Sequence, residues 1–350
     1  MLNVRNSFYQ SDLENVANQV DIRVIYNTKF LITGATGLIG SFLVDFLLYL
    51  NEKYNSNIKV YAMSRSKERL QKRFSYFNND SKNLMLIEQD VCDSVEISES
   101  VDYIISAASN ADPRNYALYP AETILTNILG TKNVLDFAMK NKNTKVLFTS
   151  TMEVYGEIDS KDSFSEDDYG LIDYNEIRSS YPESKRVSEI LCRSYLKEFG
   201  VKSIICRLGY IYGPTMTSGD SKVIAQFIKN VLKGENIILK SKGEQKRSYC
   251  YVADAVAGML VSLIKGEPGE AYNIANSNSI TSIKDMASLI ASINGLTVEY
   301  HLPDEIEKAG FSKAQDAVMD ESKLRSLGWN PIYDMEEGVK NTLEILADKN

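Results

Sequence analysis

Apolar runs and helical stretches alternate along the first 210 residues of the chain. Two long stretches, 38–50 and 122–141, place apolar residues at helical spacing. The runs that predict strands are short and rich in Val, Ile and Leu, and they cover 29–35, 59–65, 83–90, 101–108 and 145–151. Strands that are apolar along their whole length predict a parallel sheet, because helices then cover both of its faces.

The pattern becomes irregular after about residue 210. Helical stretches at 222–233 and 282–293 alternate with short apolar runs at 236–240, 270–276 and 297–301. This mixture predicts a smaller α+β lobe that follows the larger α/β domain.

The first 28 residues are polar, but four apolar residues within them repeat at helical spacing. These are Leu13, Val16, Ala17 and Val20. Ser11 and Glu14 fit a capping box, so we expect a short surface helix here, with a partly disordered leader as the alternative. The predicted division of the chain is a leader over 1–28, an α/β domain over 29–210 and a C-terminal lobe over 211–350.

Composition narrows the class of protein. The chain has 350 residues, of which 44% are hydrophobic, with a net charge of −8 and a pI near 5.0. This balance fits a globular protein and argues against a dominant nucleic-acid surface, although a local basic pocket is compatible with it. Four scattered cysteines and one histidine show no metal-ligand spacing, so we expect no metal. Reduced thiols, no signal peptide and no membrane-spanning run predict a cytoplasmic location.

The clearest chemical motif is a glycine-rich turn between the first strand and the first long helix. Gly34, Gly37 and Gly40 follow the pattern G-x-x-G-x-x-G. Glycines in this context let the backbone approach a pyrophosphate, which the helix N-terminus then binds. The motif predicts a Rossmann-type, doubly wound parallel sheet and a dinucleotide site that includes Thr36, Leu38 and Ile39. The alternative is a tight turn that binds no ligand.

The end of the second strand determines which dinucleotide fits. An NAD site usually has an acidic residue there, whereas this chain has Ser64 and Arg65. Arg65 allows the 2′-phosphate of NADP, or it is a solvated loop charge, so the choice between NAD and NADP stays open. The other predicted cofactor contacts at strand ends are Asp90, Val91, Ala107, Ala108 and Ser109.

Tyr181 and Lys185 stand four residues apart and share one face of a predicted helix. A phenol has a pKa of about 10, and a nearby ammonium lowers that pKa. The phenolate can then take a proton from a substrate hydroxyl that Thr151 also binds. We predict that Tyr181 and Lys185 also contact the cofactor. The alternative is an ordinary surface pair.

With these motifs, the sequence resembles the extended short-chain dehydrogenase/reductase family over residues 28–345. Further matching stretches are "NILGTKNVLDFA", "STMEVYG", "RLGYIYGP" and "RSYCYVADA". Helices 122–141 and 181–199 carry apolar residues beyond one stripe, and a four-helix interface between two subunits would bury them, as in relatives, so we expect a homodimer. These residues are Ile124, Ile128, Val134 and Phe137 on the first helix and Val187, Ile190, Leu191 and Tyr195 on the second. The resemblance implies an enzyme acting on a nucleotide sugar bound by the C-terminal lobe. It also implies that Asn127 contacts the cofactor. The substrate contacts that it implies are Tyr116, Arg178, Tyr210, Lys222, Val223 and Arg247.

Within this family, the chain is most similar to UDP-glucuronate decarboxylases (UDP-xylose synthases). These enzymes carry a glutamate where Glu153 stands, which implies an acid/base that acts after oxidation at C4. Two positions depart from their pattern: Met152 replaces a serine and Tyr210 replaces an asparagine. The alternatives are a 4-epimerase, a 4,6-dehydratase, a 4-ketosugar reductase or a non-catalytic NAD(P)-binding regulator. For Glu153 itself, the alternative is a buried structural acid that pairs with a neighbouring residue.

Overall fold

The computed structural model describes residues 2–77, 82–158, 161–301 and 316–348. Its centre is a seven-stranded sheet in the order β10-β6-β5-β4-β1-β2-β3, and every neighbouring pair of strands is parallel. The strands are β1 (Lys29–Thr33), β2 (Lys59–Ser64), β3 (Leu84–Glu88), β4 (Tyr103–Ser106), β5 (Lys145–Thr151), β6 (Lys202–Leu208) and β10 (Ala271–Ile274). The predicted Rossmann-type parallel sheet is confirmed.

Helices cover both faces of this sheet, as its apolar strands require. The helices up to residue 199 are α1 (Ser7–Gln19), α2 (Leu38–Tyr54), α3 (Lys67–Arg73), α4 (Pro113–Leu118), α5 (Pro120–Lys140) and α6 (Ser180–Phe199). Those after it are α7 (Val223–Leu232), α8 (Val252–Lys265), α9 (Ile283–Ile293), α10 (Ser322–Arg325) and α11 (Met335–Ala347). Buried residues of α2 and α8 form the larger core, and those of α5 and α6 form a separate core on the opposite face.

The remaining strands belong to two small sheets. β7 (Tyr210–Tyr212), β9 (Lys246–Tyr251) and β11 (Ile280–Ser282) form one in the order β11-β9-β7, and β8 (Ile237–Leu239) pairs with β12 (Val298–Tyr300) in the other. The edge strand β10 of the main sheet lies beyond residue 210. It pairs with β6, so the chain returns to the main sheet after building part of the smaller lobe.

Helix α1 packs against both parts of the molecule through acidic and tyrosine side chains. Asp12 is fully buried and accepts hydrogen bonds from the hydroxyls of Tyr251 at 2.5 Å and Tyr333 at 2.7 Å. On the side of α2, Tyr9 donates to Asp45 at 2.5 Å. A buried carboxylate is tolerated where several donors surround it, so these contacts hold α1 in one place.

The start of α1 differs from the sequence prediction. The helix begins at Ser7, and the N-cap is Asn6, whose side chain accepts from the backbone N–H groups of Phe8 and Tyr9. Ser11 therefore lies inside the helix and caps nothing. Glu14 accepts from Tyr49 and Tyr54 instead of closing a capping box.

Two features are absent from residues 2–77, 82–158, 161–301 and 316–348. No helix in these ranges is both long and apolar enough to span a membrane. In the same ranges, no group of three or more His, Cys, Asp or Glu side chains is arranged to hold a metal ion.

Candidate active site

The glycine-rich turn lies at the carboxyl end of β1, directly beside the end of β4. Gly34 has a φ of +65°, and a Cβ there would lie 2.7 Å from the carbonyl oxygen of Ala107. A Cβ on Gly40 would lie 2.4 Å from the carbonyl oxygen of Gly34. Both distances are too short for any side chain, so the turn requires glycine at these two positions.

The residues of this turn fit a dinucleotide pyrophosphate. Gly37 is the N-cap of the 17-residue helix α2 and supplies no side-chain hydrogen bond, so the backbone N–H groups of the first turn are free for an anion. The hydroxyl of Thr33 accepts from the backbone N–H groups of Ala107 and Ala108 at 3.0 and 3.1 Å. These two predicted cofactor contacts therefore lie against the turn.

The end of β2 has hydroxyls and an arginine where an NAD site usually has a carboxylate. The hydroxyls of Thr36 and Ser64 lie 3.3 Å apart. Arg65 is half exposed, and its guanidinium forms an ion pair with Glu122 of α5 at 2.7 Å. Asp90, after β3, accepts from the backbone N–H of Cys92 at 2.9 Å.

Polar contacts join the predicted cofactor residues to the helix that carries Tyr181. The hydroxyl of Ser109 donates to the Asn127 side chain at 2.8 Å. The Asn127 amide donates to the hydroxyl of Ser184 at 2.8 Å, and Ser184 donates to the carbonyl of Tyr181 at 2.8 Å. Val91 packs beside this group against α5, where a Cβ on Gly130 would meet it at 2.8 Å.

Tyr181 and Lys185 lie on the inner face of α6, and both are buried. Nζ of Lys185 donates to the carbonyl oxygen of Thr149 at 2.8 Å. Burial lowers the pKa of Lys185 to about 7. Thr151, the last residue of β5, lies beside the Tyr181 hydroxyl and favours its ionised form.

The sequence predicts that Lys185 lowers the pKa of Tyr181, and for the protein by itself this prediction is wrong. Burial raises the pKa of Tyr181 well above its usual range, and the charge of Glu153 adds to the rise, whereas the Thr151 hydrogen bond opposes it. Removing both members of the pair from water penalises the phenolate and the ammonium alike, and Lys185 is held by a backbone carbonyl. The spacing places the two side chains correctly but does not fix the phenol as a base.

Glu153 lies in a 3-10 turn, Met152–Tyr155, that directly follows β5. Its Oε2 is 3.1 Å from Nη1 of Arg178. Burial raises the pKa of the Glu153 carboxyl, and the nearby charges of Arg178 and Arg247 limit the rise. The acid therefore belongs to the same polar cluster as Tyr181, whose pKa responds to it.

Two tyrosines and two arginines complete this cluster. The ring of Tyr116 stacks on that of Tyr181 with centroids 5.1 Å apart, and the Arg178 guanidinium lies 5.7 Å from the Tyr116 ring centre. The Arg247 guanidinium lies 4.4 Å from the ring centre of Tyr210. The sequence-predicted substrate residues Tyr116, Arg178, Tyr210 and Arg247 thus meet beside the predicted catalytic residues.

Lys222 and Val223 lie at the start of α7, outside the contacts just described. Lys222 is the N-cap residue, and its ammonium is 3.5 Å from Asp220. The preceding Ser221 donates its backbone N–H to Asp112 at 2.7 Å, which ties this segment to the start of α4, the helix of Tyr116.

Three residues that make defined contacts in the site were not predicted from the sequence. Thr149 provides the carbonyl for Lys185, Ser184 joins Asn127 to Tyr181, and Glu122 holds Arg65. The first two lie next to recognised motifs, in "TST" and "YPESK", so a local signal exists. Glu122 lies 57 residues from its partner, and only the fold brings the two together.

The class of protein follows from this arrangement. A glycine-rich turn at a helix N-terminus, together with a buried Tyr/Lys pair on helix α6 beside the same sheet, defines a dinucleotide-dependent enzyme of the short-chain dehydrogenase/reductase type. The chain belongs to the NAD dependent epimerase/dehydratase family, whose model matches residues 30–275.

Relatives and solved structures agree with this assignment. The chain is 34% identical over 327 residues to UDP-glucuronic acid decarboxylase 3 of Arabidopsis thaliana, covering 89% of this chain and 87% of that protein. It is 32% identical to UDP-glucuronic acid decarboxylase 1 of Xenopus tropicalis over 90% of this chain and 71% of that protein. The structure of UDP-glucose 4-epimerase from Thermotoga maritima superposes with a TM-score of 0.75 at 25% identity, covering 91% of this chain and 98% of that chain.

Proposed function

We propose that this enzyme oxidises a nucleotide sugar at C4, removes a carboxylate from the oxidised sugar and regenerates its cofactor, as a UDP-glucuronate decarboxylase. The observation that carries the proposal is the position of Glu153. It adds a titratable acid, whose pKa is raised by burial, to the polar cluster around Tyr181, which forms the proposed substrate pocket. The similarity to decarboxylases over 89% of the chain supports the same reaction.

The first step is removal of the proton from the C4 hydroxyl. The sugar hydroxyl binds between Thr151 and Tyr181, and its proton passes to the phenolic oxygen as the C–H bond breaks. When bound, the dinucleotide supplies the hydride acceptor, and the positive charge of its oxidised ring favours the phenolate. Lys185 is fixed by the Thr149 carbonyl and keeps a hydrogen-bond donor at a constant place in this pocket.

The second step uses the ketone that the first step creates. A carboxylate one carbon away from a ketone loses CO2 readily, because the ketone oxygen takes up the electron pair of the broken C–C bond. The resulting enolate needs one proton at C5. Glu153 donates this proton, directly or through one water, because its raised pKa keeps it protonated more often than an exposed glutamate. Tyr181 then returns its proton to the C4 oxygen as the hydride comes back to C4, which restores the alcohol and the oxidised cofactor.

Two arginines provide the positive charge that the substrate needs. Arg178 and Arg247 both act on the charge of Glu153, so both lie near the reacting end of the pocket. A guanidinium can bind a carboxylate or a phosphate through two parallel hydrogen bonds. The C-terminal lobe contributes Arg247 from β9, which is how this lobe takes part in binding the nucleotide sugar.

The cofactor is NAD or NADP, and the end of β2 decides between them. Ser64 and Arg65 stand where an NAD site usually has a carboxylate, which supports binding of NADP as well as NAD. The ion pair between Arg65 and Glu122 acts against NADP, because Arg65 must leave Glu122 to bind the phosphate.

The proposal is tested by product mass. Purified protein is incubated with NAD or NADP and separately with UDP-glucuronate, UDP-glucose and dTDP-glucose, and the products are analysed by mass spectrometry. We expect UDP-glucuronate to lose the mass of one CO2 without net reduction of the cofactor. Loss of one water from the neutral sugars identifies a dehydratase, and an unchanged mass with altered retention identifies an epimerase. Either result without CO2 release contradicts the proposal.

A further inference from the structure

The sheet register places Arg247 and Tyr210 on the same face of β9 and β7. β7 runs parallel to β9 with Tyr210 opposite Tyr249, and Arg247 precedes Tyr249 by two residues. Because side chains alternate across a strand, Arg247, Tyr249 and Tyr210 all face the same side. The ring centroids of Tyr210 and Tyr249 lie 5.6 Å apart, so the Tyr210 ring packs against a buried aromatic neighbour.

The two arginines of the pocket have different partners. Arg178 is 3.1 Å from the Glu153 carboxylate. Within the described residues, Arg247 has no carboxylate within 4.0 Å, and its guanidinium lies over the Tyr210 ring at 4.4 Å. The backbone of Arg247 is fixed on both sides, by pairing with Thr281 and by a bridge to Ala317. The backbone of Arg247 is therefore fixed by its neighbours, and its guanidinium lies over the Tyr210 ring and beside the hydroxyl of Tyr249.

We propose that Tyr210 is a positioning residue that holds the Arg247 guanidinium ready to bind an anionic group of the substrate. A guanidinium that rests its flat face on a ring keeps the N–H groups along its edge free for a carboxylate or a phosphate. The aromatic ring satisfies the positive charge without competing for those donors, whereas a carboxylate partner would occupy them. This inference rests on the proposed function for the identity of the substrate.

The pKa of Tyr210 also depends on its burial and on the neighbouring charges in the pocket. Burial raises its pKa, the charge of Arg247 opposes the rise, and the charge of Glu153 adds to it. The phenol therefore stays neutral and acts through its ring. The hydroxyl of Tyr210 is not required by the proposal, and this separates a positioning role from direct contact with the substrate.

The experiment compares two replacements of Tyr210 in the NAD-loaded enzyme. Tyr210→Phe keeps the ring, and Tyr210→Leu removes it. Affinities for UDP-glucuronate, UDP-glucose and UDP are measured by calorimetry, and kcat and KM by CO2 release. We expect Tyr210→Leu to weaken binding about 3- to 10-fold, the range of one partly desolvated cation–π contact, while Tyr210→Phe stays within about 2-fold of wild type.

The three ligands identify the anion that Arg247 binds. A loss confined to UDP-glucuronate assigns Arg247 to the sugar carboxylate, and an equal loss for all three assigns it to the phosphates; both support the positioning role. Loss of affinity in Tyr210→Phe equal to that in Tyr210→Leu shows that the hydroxyl binds substrate, and overturns the proposal. Unchanged affinity in Tyr210→Leu overturns it as well.

A double-mutant cycle separates positioning from a general loss of structure. Arg247→Lys keeps the charge but lacks the flat guanidinium face. Tyr210→Leu made in the Arg247→Lys background should cost less than about 2-fold further, because the stacked pair is already broken. Full additivity contradicts the proposal. Absence of CO2 release by the wild-type enzyme contradicts the proposed function, whereas this binding cycle still tests the role of Tyr210.

Discussion

The guanidinium of Arg178 lies 3.1 Å from the carboxylate of Glu153, measured from Nη1 to Oε2. Arg178 comes from the 3-10 turn Ile177–Ser179 that precedes α6, and Glu153 comes from the turn that follows β5. The pair therefore joins the two segments that carry Tyr181 and Thr151. Two effects act in opposite directions on the pKa of Glu153: burial raises it, and the charge of Arg178 lowers it.

Removal of the Arg178 charge should raise the pKa of Glu153 further. In Arg178→Met we expect the pKa of Glu153 to rise above its wild-type value, because the charge that favours the ionised carboxylate is gone. The titration of the Glu153 carboxyl carbon, followed by NMR, measures this change. Arg193→Met is the matched control on α6, because Arg193 pairs with Glu189 and should leave the titration unchanged.

Tyr181 and Glu153 should control different steps. Tyr181→Phe keeps the ring and removes the base, so no reduced cofactor should form on addition of UDP-glucuronate. Glu153→Gln keeps the shape and removes the acid, so the absorbance of reduced nicotinamide should still appear. The 4-keto intermediate should then persist, and final product should fall by about 100-fold or more, the usual effect of losing a positioned acid.

Two results contradict this division of roles. Product formation at the wild-type rate in Glu153→Gln makes Glu153 a structural acid and indicates a plain 4-epimerase. A block of the first oxidation as complete as in Tyr181→Phe shows instead that Glu153 positions the substrate.

Arg65 should distinguish NADP from NAD. Arg65→Ala should weaken the binding of NADP by about 10-fold more than the binding of NAD, which is the effect of one lost charge-assisted contact. Glu122→Gln should do the opposite, because it releases Arg65 from its ion pair. Dissociation constants for both cofactors measure the change. Equal effects on NAD and NADP in both variants mean that Arg65 takes no part in the choice.

The exposed apolar face of α5 and α6 predicts a homodimer. Val134 and Phe137, which the sequence analysis assigned to an interface, are buried inside the subunit. The large apolar side chains that stay exposed on these helices are Ile124, Leu125, Leu129, Met139, Val187, Ile190 and Phe199. A second copy can cover them in a four-helix arrangement.

A substitution at Ile190 tests the dimer most directly, since Ile190 is 61% exposed. Ile190→Asp should convert a dimer to a monomer in light scattering at micromolar concentration, because a carboxylate cannot enter an apolar interface without a partner. Tyr300→Asp is the control, since Tyr300 is similarly exposed on β12, away from these helices. A monomeric wild-type protein rules out the interface.

Two buried carboxyls should make stability depend on pH. Burial raises the pKa of Asp12 to about 6 and that of Asp254 to about 7. Because both folded-state values lie above the unfolded ones, the folded protein holds these protons more tightly. Their stabilising contribution is complete below about pH 4 and is lost as the pH rises through about 6 to 7.

Asp12→Asn should flatten this dependence. The decline in unfolding free energy between about pH 5 and pH 8 should shrink by on the order of 1 kcal/mol, since one of the two titrating groups is gone. Thermal or urea unfolding across this range measures it. Glu336→Gln, at an exposed surface pair with Lys340, should leave the slope unchanged. If the unfolding free energy of Asp12→Asn depends on pH as steeply as that of wild type, the assignment of this dependence to Asp12 is contradicted.

The sequence by itself determined the sheet and the cofactor turn, because both depend on local patterns. Runs of apolar residues fix which segments form buried parallel strands. Gly34 and Gly40 of "TGATGLIG" are required, because a Cβ at these positions would lie 2.7 and 2.4 Å from a backbone carbonyl oxygen. The four-residue spacing of Tyr181 and Lys185 places both on one helix face, whatever surrounds them.

Only the tertiary structure decided the electrostatics of the site. The pKa of Tyr181 depends on burial and on Glu153, which lies 28 positions away in the sequence, and so the expected lowering was wrong. The stacking of Arg247 on Tyr210 and the pairing of Arg65 with Glu122 likewise join residues 37 and 57 positions apart. Charge interactions and desolvation depend on distance in space, and a sequence pattern records distance only along the chain.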